Sequence, residues 1–214
     1  PATLEEGSVT MDAVTLRGRE LERFSGSLGI EESALPPGLE KIAGYYMREI
    51  PYKDPSPLFK AGFLENGYTG TTLFGYENNE TDEDSREHQV LVVMYAPCLF
   101  RTAEGASVVM NNIRERISRE QLAQSFFQEQ YMGIVLSVEP IKTGLGDDSW
   151  SFLVDGAFKQ EDIDMDFTAT ILIFRLGPVL TIFHSLSIGE FRMNDITRLA
   201  GSLESVIGKA LTTR

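Results

Sequence analysis

The chain has 214 residues, of which 42% are hydrophobic and 24% are charged, as in an ordinary soluble protein of one large or two small domains. Its 32 acidic residues outnumber its 19 basic residues, so the formal net charge is −13. This charge argues against a nucleic-acid partner, whose phosphates the protein would repel, and against a general basic surface for membranes. Two histidines and one cysteine, Cys98, are too few for a disulfide scaffold or for a thiolate or imidazole metal centre.

The first 58 residues are the least regular part of the chain, and they are predicted to form an arm that packs on the following domain, residues 59–214. Residues 16–24 are predicted to form one short helix. A proline-glycine break follows, and three apolar side chains then recur at the spacing of a second short helix. These are Leu39, Ile42 and Tyr46.

Two strands and two helices are predicted next. Residues 68–77 are rich in strand-forming side chains, and an acidic, asparagine-rich turn follows at 78–87. Residues 89–96 are apolar on both faces, which indicates a central strand. Thr102 is predicted to cap a helix whose apolar stripe is Ala106, Met110, Ile113 and Ile117. Ser118 and Gln121 have the spacing of a capping box, which predicts another helix to about residue 130.

The last third of the chain predicts four more strands and a long helix. Residues 133–138 form a strand, 144–148 a turn, and 149–154 alternate between apolar and polar side chains. Residues 163–173 alternate strongly, 175–178 form a hairpin turn, and 179–188 form the returning strand. The final helix has an apolar stripe with a period close to 3.6 residues. It consists of Ile196, Leu199, Leu203, Val206, Ile207 and Leu211.

This order of elements predicts an α+β fold in which helices pack on an antiparallel sheet as an α/β/α sandwich. The sheet-and-helix pattern occurs twice, at about 68–117 and 150–211, so two strand–strand–helix units form one domain. Neither unit is flanked by a clear flexible linker, which favours a single continuous sheet over two separate domains.

Several local patterns together resemble a known group of proteins. They are Ala61-Gly62-Phe63, Gly67-Tyr68, Thr102-Ala103-Glu104-Gly105-Ala106, Gly146-Asp147-Asp148-Ser149 and Phe174-Arg175-x-Gly177-x-Val179, followed by an amphipathic helix. Their order resembles bacterial cell-envelope lipoproteins and extracellular kinase sensor domains of the PsbP-like, LpqN/PknH-sensor type, over about residues 60–214. The resemblance implies an exported, non-catalytic α/β/α sandwich with a cleft that binds a ligand or a partner.

The familiar catalytic and cofactor-binding patterns are missing, so no cofactor is expected. A P-loop would need serine or threonine after Gly208-Lys209, but Ala210 follows. A dinucleotide-binding loop and a G-x-S-x-G nucleophile elbow are also absent. Ser185 and His184 are neighbours on a strand, so they point to opposite faces and cannot form a nucleophile–base pair. Cys98 is predicted to be a buried small apolar residue rather than a reactive thiol.

One run of carboxylates has two interpretations. Asp162, Asp164 and Asp166 alternate along a strand, so all three face one side, about 7 Å apart from one to the next. A hard cation such as Ca²⁺ would relieve their mutual repulsion, although the spacing is not that of an EF-hand loop. The favoured alternative is a solvated edge strand whose charges prevent pairing with another sheet.

The leading hypothesis for function is a non-enzymatic, exported domain that binds an unknown small ligand or protein. Its cleft would lie between the sheet and the aromatic arm, lined by Tyr45, Tyr46, Phe63 and Tyr68. One alternative is a small-molecule hydrolase that uses the carboxylates of Asp147 and Asp148 with His184, and another is an interaction subunit of an envelope complex. Because the chain begins at Pro1 without an initiator methionine, a membrane tether through a removed N-terminal anchor is compatible with the leading hypothesis.

The excess of acid is confined to two stretches. Residues 77–87 carry six acids and one base, a net charge of −5, and residues 147–166 carry seven acids and one base, a net charge of −6. Together they hold −11 of the total charge of −13. If the two stretches meet in space, they form one negative patch suited to a cation or a basic partner.

Overall fold

Seven strands form one antiparallel sheet in the parts of the chain that the structure describes. The structure, a computed structural model, describes residues 16–36, 38–47, 61–78, 88–128, 133–160, 163–189 and 193–212. The strands are β1 (Leu39–Met47), β2 (Tyr68–Asn78), β3 (His88–Phe100), β4 (Gly133–Ile141), β5 (Asp148–Gln160), β6 (Ile163–Leu176) and β7 (Val179–Gly189). Their order across the sheet is β1-β2-β3-β7-β6-β5-β4, so two meanders meet where β3 pairs with β7.

Helices cover both faces of this sheet. Their bounds are α1 (Arg19–Gly26), α2 (Ala103–Arg116), α3 (Arg119–Ala123), which continues as a π-helical turn (Gln124–Gln128), and α4 (Met193–Thr212). A short 3₁₀ turn, Glu32–Ala34, follows α1. Apolar residues of α1 and α4 share one buried cluster with the sheet, and those of α2 and α3 share the other. The predicted α+β sandwich is therefore confirmed.

Strand β3 is central and has two apolar faces, as its sequence predicts. Val93 and Leu99 pack in the cluster beneath α1 and α4, whereas Cys98 and Phe100 pack in the cluster beneath α2 and α3. Cys98 is buried, and burial raises the pKa of its thiol to about 12. This agrees with its predicted role as a small apolar residue, because a thiol with so high a pKa has little of the nucleophilic thiolate.

The helix predicted from Leu39, Ile42 and Tyr46 is wrong, because these residues lie on edge strand β1. A bulge between Lys41 and Ala43 shifts the register against β2. Leu39 and Tyr46 are seven residues apart, so a regular strand would place them on opposite faces. The bulge returns both to the face that carries α1 and α4, and the resulting spacing imitates a helix.

The predicted caps of α2 and α3 are confirmed. The Thr102 hydroxyl accepts a hydrogen bond from the Gly105 backbone N–H at 3.0 Å. Ser118 and Gln121 form a reciprocal capping box. The helix predicted to reach residue 130 is α-helical only to Ala123, and the π-helical turn that follows contains two phenylalanines that both belong to the core.

Replacing Thr102 with alanine is expected to lower the free energy of unfolding by about 1 kcal/mol, because an N–H of the first helical turn loses its acceptor. Thr102→Ser keeps the hydroxyl and should retain most of the stability. Urea denaturation of both variants measures the difference. Equal stability of the two variants would contradict a stabilising role for this hydrogen bond.

Candidate functional site

The four aromatic residues predicted to line a cleft occupy different environments. Phe63 and Tyr68 are buried beneath α2, where their ring centroids are 5.8 Å apart and both rings lie within 6.0 Å of the Phe100 ring. Burial raises the pKa of Tyr68 far above its usual range. These two side chains are part of the core.

The other two tyrosines lie on edge strand β1. Tyr46 packs against the cluster on the opposite face of the sheet, and its ring covers Gly70, where a Cβ atom would be only 2.8 Å from the ring carbon that bears the hydroxyl. Tyr45 alternates with it and is 54% exposed. The structure therefore brings Phe63 and Tyr68 together in the core. Tyr46 lies close to Tyr68, because the Tyr68 hydroxyl donates to the Met47 carbonyl and the Tyr46 hydroxyl donates to the Thr69 carbonyl, each at 3.4 Å. Tyr45 is exposed away from them, and ligand binding by these residues stays a prediction.

The three residues of the alternative carboxylate mechanism are not brought together. His184 is buried in the core, with its ring centroid 4.8 Å from that of Phe126, and burial lowers its pKa to about 4. Asp148 pairs in register with Arg175, four residues along β6 from the partner of His184. Four residues of strand span roughly 13 Å.

Both of those aspartates instead form ion pairs with arginines. Asp148 accepts two hydrogen bonds from the Arg114 guanidinium, at 2.8 and 2.5 Å, which joins α2 to the start of β5. Asp147 accepts from Arg175 at 2.8 Å and from the Gly177 backbone N–H at 2.9 Å, which joins the same segment to the β6–β7 turn. These ion pairs therefore hold the start of β5 against α2 and against the β6–β7 turn.

The predicted cation site lies largely outside the described residues. Asp162 falls outside them, nothing is described of the Asp164 side chain, and Asp166 is exposed. In the described ranges no three acidic, histidine or cysteine side chains are placed to hold a metal ion. The alternative of an edge strand is wrong, because β6 lies between β5 and β7. Residues 79–87, the acidic turn, also lie outside the description, so its meeting with the second acidic stretch stays a prediction.

A groove of about 390 Å³ lies between α4 and the segment that follows α1. Its residues are Ile30, Glu31 and Ala34 on one wall and Arg198, Gly201, Ser202, Ser205, Val206 and Lys209 on α4. Four of the α4 residues recur at positions i, i+4, i+7 and i+11, so they form one face of the helix. The groove was not predicted from the sequence, because the apolar stripe of α4 indicates only the buried face of the helix, whereas a neighbouring stripe of cations and hydroxyls lines the groove.

Comparison with known proteins identifies a similar fold and no family. No family model and no curated protein matches the chain. No helix of the described part is long and apolar enough to cross a membrane. Among solved structures, the chain is similar to the extracellular domain of PknH from Mycobacterium tuberculosis, with a TM-score of 0.54 and 11% sequence identity. The similarity covers 93% of this chain and 99% of that domain, so the two share their fold over almost their full length.

Proposed function

We propose that the protein is a non-enzymatic, exported binding domain of the sensor type. The observation that carries this proposal is the fold shared with the extracellular domain of PknH over 93% of the chain. The dispersal of Asp147, Asp148 and His184 supports it, because the carboxylates already hold arginines and the imidazole lies in the core.

The groove beside α4 is the best supported place for a ligand. It combines apolar atoms with hydroxyls and with three charges, Arg198, Lys209 and Glu31. Its lining residues include two cations and one acid, in a protein whose net charge is −13. Arg198 also contacts Asp195 at 3.3 Å, but its side chain is 67% exposed, so this pair contributes little and is easily replaced. The groove therefore favours a small ligand that carries a carboxylate or phosphate group.

A protein partner is the second candidate, and edge strand β1 supports it. Ile42 and Tyr45 are 52% and 54% exposed on this strand. In the described residues β1 pairs only with β2, so its outer edge offers free backbone groups to another strand. An exposed tyrosine on such an edge supplies apolar area together with a hydroxyl, as interfaces between proteins do.

Nuclear magnetic resonance titration with succinate and with inorganic phosphate tests the groove. Saturable shifts of backbone amides are expected at Arg198, Ser202 and Ser205. Ser205→Trp places a large ring in the groove and should abolish the shifts, while Asn111→Trp, on α2 across the sheet, should leave them unchanged. Shifts that survive Ser205→Trp, or that never saturate, would contradict ligand binding in the groove.

Export is tested separately by cell fractionation, with an antibody against the native protein. The proposal predicts that the protein is found outside the cytoplasmic fraction. Recovery in the cytoplasm alone would contradict export and would leave the groove experiment unaffected.

A further inference from the structure

Four neighbouring strands contribute a row of polar residues to the face of the sheet that carries α4. In register across β7, β6, β5 and β4, this row is Ser187, Thr168, Asp155 and Ser137. Asp155 accepts a hydrogen bond from the Ser137 hydroxyl at 3.1 Å and one from the Thr168 hydroxyl at 3.2 Å. Both bonds are long for a hydroxyl that donates to a carboxylate, for which about 2.5–2.7 Å is usual.

The carboxylate at the centre of this row has no counter-ion among the side chains that the structure describes. Asp155 is half-buried, and it makes no ion pair in the part of the chain that is described. The nearest basic residue along β5, Lys159, is four positions away, roughly 13 Å along the strand. Two hydroxyls donating weakly are a poor substitute for a cation beside a half-buried charge.

The hydroxyl of Ser187 is the second unsatisfied group. Ser187 is only 4% exposed, and its Oγ has no hydrogen-bond partner within the described parts of the chain. Two positions along the same strands, Thr170 and Ser185 also lie directly opposite each other, and their hydroxyls are 2.7 Å apart. Thr168 and Ser187 have the same pairing, but the Thr168 hydroxyl donates to Asp155 instead. Ser187 therefore lacks a partner because the Thr168 hydroxyl, which lies opposite it, donates to Asp155.

A cation that binds Asp155 would satisfy both groups at once. It would replace the long hydrogen bonds to the carboxylate, and the released Thr168 hydroxyl would turn to Ser187, as Thr170 already does to Ser185. No solvent access to Ser187 is needed for this rearrangement. Two apolar residues lie on the same face beside the carboxylate: Ala157, two residues along β5, and its cross-strand partner Ile134, which is 44% exposed. Ala157 is only 2% exposed, so Ile134 is the one of the two that offers a surface to an aliphatic stem.

We propose that Asp155 is the receptor for an alkyl guanidinium group, either in a small molecule or in an arginine side chain of a partner. A planar guanidinium donates to both carboxylate oxygens at once, and its aliphatic stem packs against Ile134. This site is separate from the groove, and it does not depend on what the groove binds.

Titration with ethylguanidinium, followed through the backbone amides, tests the site. Saturable shifts are expected at Ser137, Asp155, Thr168 and Ser187. Asp155→Asn keeps the shape and a hydrogen-bonding group but removes the charge, so binding should weaken by about tenfold or more. Glu115→Gln, a change of equal charge at an exposed acid of α2 on the opposite face of the sheet, should leave the affinity unchanged.

Two further measurements make the outcome decisive. An Ala-Arg-Ala peptide that binds more tightly than ethylguanidinium indicates a protein partner, and equal affinities indicate a small molecule. Ser205→Trp, which fills the groove, should leave guanidinium binding intact, so the failure of either site is recognised separately. Titrations without saturation, or an equal loss in Asp155→Asn and Glu115→Gln, would show only general attraction to an acidic protein and would overturn the proposal.

Discussion

Replacing Gly156 with alanine is expected to lower the free energy of unfolding by about 3 kcal/mol, the upper end of the cost of overpacking a core. Gly156 lies opposite Phe167 in the β5–β6 register. A Cβ atom there would overlap the Phe167 ring and lie 2.6 Å from the backbone carbonyl oxygen of Ile134. The ring is buried between Phe127 and Phe158, at centroid distances of 5.9 and 4.8 Å, so it has little room to move.

Gly201→Ala is the matched control for that substitution. Gly201 lies inside α4, and nothing lies within 4 Å of the position where its Cβ would be. Alanine there should raise the free energy of unfolding by about 0.5–1 kcal/mol, because glycine is the poorer helix former. Urea denaturation followed by the fluorescence of Trp150, the single tryptophan, measures both variants. A Gly156→Ala variant as stable as the natural protein would show that the sheet accommodates the methyl group.

Lowering the pH from 7 to 4 is expected to remove about 3 kcal/mol of stability through His184 alone. Burial lowers the pKa of His184 from 6.5 to about 4 in the folded protein. Between these values the unfolded chain binds a proton that the folded protein does not, so stability falls as the pH falls. The contribution is fully present above pH 6.5 and is lost by about pH 4.

His184→Leu isolates this effect from the titration of the acidic residues. Leucine suits the site, which lies in the apolar cluster that contains Leu180, Leu186 and Phe126. The difference in free energy of unfolding between the natural protein and the variant should change by about 3 kcal/mol between pH 7 and pH 4. A constant difference across this range would mean that His184 has the same pKa in the folded protein as in the unfolded chain, and would contradict the prediction.

The secondary structure was predictable wherever local chemistry decides it. Thr102 and the capping box at Ser118 indicate where helices begin, because their side chains accept hydrogen bonds from backbone N–H groups three residues further along the chain. The error at β1 has a nonlocal cause, since a bulge opposite β2 changes the spacing of the apolar residues. The spacing of these three apolar residues, taken by itself, fits a helix.

The candidate sites were much less predictable, because each depends on residues far apart in sequence. Tyr45 and Tyr68 are both tyrosines that were predicted to line one cleft. In the structure, Tyr45 is exposed at the sheet edge and Tyr68 is buried beneath α2. The Asp155 row joins four strands, and the groove joins α4 to the segment after α1. No residue of this row was predicted from the sequence to belong to a site, although Asp155 lies within the acidic stretch 147–166.

The fold places the acidic residues of this chain in different surroundings. Composition alone determines the net charge of −13, and local periodicity determines the alternating strands and the long final helix, because both depend on near neighbours. Only the tertiary structure decides what each acid does. Asp147 and Asp148 face arginines of β6 and α2, while Asp155 faces no arginine in the described ranges. Strand register sets these distances, and register follows from packing across the whole sheet rather than from any single segment.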